Sequence, residues 1–83
     1  MMNLDIRTQV KKVMDSYFPA KEFDYRNMIV ASAIVKGKKD KLTADWVRKS
    51  LLSDVEDGFM SYAIAVAAQE KYITAIENVK RMF

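Results

Sequence analysis

With 83 residues, 51% apolar and 30% charged side chains and a net charge of +3, the chain reads as one small globular domain over 1–83, neither disordered nor membrane-spanning. It contains no cysteine and no histidine, which excludes disulfides and any zinc site built from those ligands. The same absence removes the commonest general base and the most reactive nucleophile. The longest apolar runs, 28–31 and 63–68, are far too short to cross a bilayer. The first five residues show no basic segment leading into an apolar one, so a cytoplasmic protein without a signal peptide is expected.

Two glycines and one proline are sparse punctuation, and favour long helices over many short strands. The expected fold is all-α: a compact bundle of about four helices with a long helix at the C-terminal end. The first helix is expected over 4–18, with Asn3 as N-cap and Asp5 in the first turn. Ile6, Val10, Val13, Met14, Tyr17 and Phe18 recur at helical spacing, and Arg7, Lys11, Lys12 and Asp15 lie opposite. Pro19 either ends this helix or opens the next.

A second helix is expected from Pro19 or Asp24 to Lys36, with Gly37 beyond its end. Residues 28–35 are apolar on every side and rich in β-branched side chains, which also suits a strand paired with another chain. A lone strand would leave its backbone groups unpaired, so helix is preferred. After a basic connector over 38–42, Thr43 caps a third helix. Asp45 lies in its first turn, and Trp46, Val47, Leu51 and Leu52 form its apolar face. Ser53 and Glu56 have the spacing of a capping box and mark a new helix start, unless Gly58 is where the third helix stops.

The last helix is expected from Asp54 or Phe59 to Met82, about 43 Å long if it begins at Asp54. Acidic residues at its start and Lys80 and Arg81 at its end suit the helix dipole. It carries two apolar rows. One holds Met60, Ile64, Ala67, Ala68, Ala75, Val79 and Met82, and the other Phe59, Tyr62, Val66, Ile73, Ile76 and Phe83. One row suffices to pack on three shorter helices, so two suggest a helix that also meets another chain. Alanines at 63, 65, 67 and 68 allow close approach of a second helix. Met82 and Phe83, apolar at the end of the sequence, suggest docking of that end on something.

No constellation for catalysis emerges. Gly37 and Gly58 lie in no phosphate-loop pattern, and Lys49 and Ser50, adjacent on a helix, do not face each other. Asp54, Glu56 and Asp57 do not match a calcium loop and are explained by capping. No catalytic residue, metal, cofactor or small-molecule substrate is inferred, and the chain is not expected to be an enzyme. The leading expectation is a small interaction protein, of regulator, inhibitor or adaptor type. It would bind a protein partner or itself through the last helix, with Phe59, Tyr62, Val66, Tyr72, Ile73, Ile76 and Phe83 at the contact.

The alternative is a small dimeric nucleic-acid-binding regulator, since Lys36, Lys38, Lys39, Lys41, Arg48 and Lys49 concentrate positive charge against only Asp40 and Asp45. A helix-turn-helix fits this segment poorly. Lys38 falls where an apolar residue is needed, and the connector to Thr43 is too long. Trp46, beside Val47, reads as core before binding anchor. Membrane-surface attachment ranks last, because the basic residues do not flank the apolar stripe of one helix.

Overall fold

The computed structural model describes residues 5–83. Four helices form an all-α bundle: α1 (Ile6–Tyr17), α2 (Asp24–Val35), α3 (Ala44–Glu56) and α4 (Tyr62–Met82). Short 3₁₀ turns at Lys21–Phe23 and Lys39–Lys41 lie in the connectors, and no strand occurs among the described residues. Residues 28–35 therefore belong to a helix. The bundle measures 43 × 24 × 18 Å, and none of its helices is long and apolar enough to cross a membrane.

Helix boundaries follow local hydrogen-bond chemistry. Asp5 caps α1, its carboxylate accepting from the Arg7 amide at 3.1 Å, so Asp5 is the cap itself and not a first-turn residue. The expected cap Asn3 and first helical residue Leu4 lie outside the described residues. Helix α2 continues directly from the 3₁₀ turn that follows Pro19 and has no side-chain cap. Its end is a Schellman motif: the Lys38 amide donates to the Ala33 carbonyl and Gly37 to Ile34. Gly37 takes φ +73°, a left-handed conformation that a Cβ would disfavour. Thr43 caps α3 as expected, accepting from the Trp46 amide.

The capping-box expectation at Ser53–Glu56 is overturned. Helix α3 runs straight through these residues and stops in a second Schellman motif, with Gly58 at φ +83°, Phe59 donating to Asp54 and Gly58 to Val55. Ser61 is the real cap of α4, accepting from the Ile64 amide at 3.2 Å. Helix α4 thus has 21 residues and spans about 32 Å, well short of a rod starting at Asp54. Glu56 and Asp57 consequently lie at the C-terminal end of α3, the unfavourable side of its dipole.

Helices α1 and α2 form one hairpin and α3 and α4 another, with α1 also resting on α4. The core gathers Val10 and Met14 from α1, Val30, Ala31 and Ile34 from α2, Val47 and Leu51 from α3, and Ala65, Ala68, Tyr72, Ala75, Ile76 and Val79 from α4. Phe23, Leu42 and Met60 close it from the connectors. The small side chains at 65, 68 and 75 bring the backbone of α4 close to its neighbours. Phe18, Phe23 and Tyr72 form an aromatic cluster with ring centroids 4.9–5.9 Å apart.

Two polar links cross this core. Arg26 on α2 makes a two-pronged contact with Asp54 on α3, at 2.6 and 3.0 Å. Its guanidinium also lies over the rings of Tyr25 and Trp46, 5.8 and 5.4 Å from their centroids. The Asn27 carboxamide accepts from the Tyr72 hydroxyl at 2.7 Å and donates to Asp15 and to the Phe18 carbonyl. Asp15 in turn receives Lys11, which Asp24 also holds. Among the described residues no buried side-chain polar atom lacks a partner.

Candidate functional site

Among the exposed apolar side chains of the bundle, three form a strip along the α3–α4 hairpin. Arg48 on α3 meets Glu70 on α4 at 3.4 Å, and the helices run antiparallel from the connecting loop at 57–61. One turn toward that loop from each of these residues, Leu52 therefore lies across from Val66. One further turn back along α4 is Tyr62. These three side chains remain 49%, 54% and 63% exposed. Val55 and Ile73, half-buried against the core, border them. Each of the three retains on the order of 1 kcal/mol of favourable burial that this fold does not use.

Sequence reasoning located part of this strip. Of the residues expected at a partner contact, Tyr62 and Val66 are exposed on it and Ile73 is half-buried against the core. Tyr72 and Ile76 do not lie on it: both are fully buried, because the side of α4 that carries them is covered by the other helices. Neither can act as a surface anchor, and the Tyr72 hydroxyl is already engaged by Asn27. Phe59 turns toward α2 and stacks on Tyr25 at 5.2 Å. Phe83 packs half-buried against the core of its own chain, whereas Met82 beside it stays 58% exposed. Leu52, expected on the apolar face of the third helix, is on the surface instead. Adjacent helical residues point about 100° apart, so with Leu51 buried, Leu52 had to turn away.

Compared with protein families, with curated proteins and with solved structures, the chain matches none.

The structure separates the basic set into two groups. Lys39 donates to the Lys80 carbonyl at 3.0 Å, and Lys80 donates back to the Leu42 carbonyl at 3.3 Å. This reciprocal clasp holds the α2–α3 connector on the C-terminal end of α4. Lys36, Lys38 and Lys41 are thereby gathered with Arg81 at one end of the bundle, all exposed. Arg48 and Lys49 lie further along α3, engaged with Glu70 and Asp45. Trp46 packs against the core, with its ring under Arg26.

The grooves carry little chemistry. One, about 380 Å³, lies between the end of α1 and α4, lined by Tyr17, Phe18, Glu70, Lys71, Thr74, Ala75 and Asn78. Its lining is chiefly apolar, and its two charged residues are solvated at the rim. Asp54, weighed as a metal ligand with Glu56 and Asp57, is occupied by Arg26. No group of three potential metal-ligating side chains comes together among the described residues.

Proposed function

We propose that this chain is a non-enzymatic interaction protein, of regulator, inhibitor or adaptor type, acting in the cytoplasm. It docks a protein partner on the α3–α4 strip. The single observation that carries the reading is the side-by-side exposure of Leu52, Val66 and Tyr62 on two packed helices. A contiguous apolar surface on a rigid scaffold is what a partner helix or loop recognises. Tyr62 adds an aromatic anchor with a polar tip, suited to an interface that is part dry and part wet. The test is capture of binding proteins by the wild-type chain and by Leu52→Asp and Tyr62→Asp variants of unchanged helicity. The reading expects partners to be lost in both variants, and equal recovery refutes it.

A second reading draws on the clasp between Lys39 and Lys80, which concentrates Lys36, Lys38, Lys41 and Arg81 at one end. Such a cluster suits phosphate contacts with a nucleic acid, whose affinity then falls steeply with salt. Lys38→Glu combined with Lys41→Glu should abolish a gel shift seen at low salt. A native protein that shifts neither DNA nor RNA at low salt ends that reading.

A further inference from the structure

We infer that the occupant of the α3–α4 strip is a second copy of this chain, packed on the first about a two-fold axis that runs between Leu52 and Val66, with the α3 helices antiparallel. The inference rests on the function proposed above and adds the identity and register of the partner.

The argument is one of charge and position. An axis at the level of Leu52 and Val66 matches each residue with one equally far along the same helix of the other copy, in the opposite direction. On α3, one turn either way from Leu52, Glu56 of each copy meets Arg48 of the other. On α4, one turn either way from Val66, the hydroxyl of Tyr62 meets the Glu70 carboxylate. The apolar pair sits at the centre, and two charge pairs and two hydroxyl–carboxylate pairs surround it, the anatomy of an apolar core within a polar rim. A two-fold axis along the helices would instead lay α3 of one copy on α4 of the other, with Arg48 opposite Glu70 and Glu56 opposite Tyr62, so only the antiparallel packing gives Glu56 a cation.

The monomer leaves these groups in need of such partners. Glu56 lies at the negative end of the α3 dipole and makes no ion pair among the described residues. Arg48 makes only a long, solvent-exposed contact with Glu70, worth little by itself. A second copy supplies a cation to the first and an anion to the second, and covers the three exposed apolar side chains at once.

The test is sedimentation equilibrium on the full chain over a range up to about 1 mM, in wild type, Glu56→Arg, Arg48→Glu, the double swap and Leu52→Asp, with helicity checked by circular dichroism. The expected result is a wild-type dimer. Either single charge reversal weakens it about tenfold or more, and the double swap recovers most of that loss. A wild-type monomer at every concentration overturns the inference while leaving the strip to a different protein. A dimer sensitive to Leu52→Asp but indifferent to the charge swaps overturns the antiparallel register. A dimer indifferent to Leu52→Asp places the contact between copies elsewhere and overturns the inference, while the functional reading stands or falls by partner capture.

Discussion

Replacing Asp54 by alanine should remove a large part of this protein's stability. Asp54 is 2% exposed and accepts two hydrogen bonds from Arg26, itself only 8% exposed. Removing one partner of a buried pair costs about 3–5 kcal/mol, because the remaining charge keeps its desolvation penalty and loses its compensation. For Asp54→Ala the lower end applies, since the guanidinium still lies over Tyr25 and Trp46. For Arg26→Met the upper end applies, since no cation replaces the one removed from the enclosed carboxylate. A chain of 83 residues is expected to have about 4–12 kcal/mol of total stability. A loss of about 3 kcal/mol lowers the melting temperature by roughly 12–24 °C for a domain of this size. Urea and thermal denaturation at neutral pH, followed by helical circular dichroism, measure it directly. The double change Arg26→Met with Asp54→Leu should recover most of the loss, because apolar groups of similar volume need no compensation. A loss below about 1 kcal/mol in both single variants would show that water reaches the pair, and would refute the argument.

Tyr72→Phe should cost about 1–3 kcal/mol, measured by urea denaturation, because the Asn27 carbonyl oxygen loses its donor in the interior. Burial raises the Tyr72 pKa well above the ordinary tyrosine value of about 10. The native state therefore keeps a proton that the unfolded state releases: the contribution of Tyr72 to stability should be level below about pH 10 and fall above it, and Tyr72→Phe should flatten the fall of wild-type stability above about pH 10. Gly37→Ala and Gly58→Ala should each cost on the order of 1 kcal/mol from the left-handed backbone alone, since nothing within 4 Å obstructs a Cβ at either position. Ser61→Ala should cost about 1 kcal/mol and increase amide exchange at the start of α4, whereas Ser53→Ala should leave stability nearly unchanged.

The helical class, the caps at Thr43 and Gly37 and most core positions could be read from residue spacing, because they depend on local chemistry. What could not be read depended on contacts distant in sequence. Ser53 and Glu56 have the spacing of a capping box, yet Asp54 between them is drawn into the core by Arg26, 28 positions earlier, and this keeps the helix continuous. Tyr72 reads as an interface aromatic because no nearby residue announces that Asn27 will satisfy its hydroxyl. The strip was half visible. Tyr62 and Val66 follow from the surplus of apolar residues on the last helix, whereas Leu52 emerges only once Leu51 is known to be inside. The grouping of Lys36, Lys38 and Lys41 with Arg81 depends on a clasp between segments about forty residues apart.

Helix α2 offers grease on every side: Met28 and Val35 remain exposed while Val30, Ala31 and Ile34 are buried. Oil and water alone would let such a cylinder roll about its own axis with little penalty. Arg26 and Asn27 act as two keys in different locks, one on α3 and one shared by α1 and α4, and a roll by a single position withdraws both. Their contribution is uniqueness of packing. Leucines in their place, with Asp54→Leu and Tyr72→Phe so that no buried polar group is stranded, would leave a bundle with its helices intact and its side chains unsettled, a loss seen in NMR peak dispersion before it is seen in helicity.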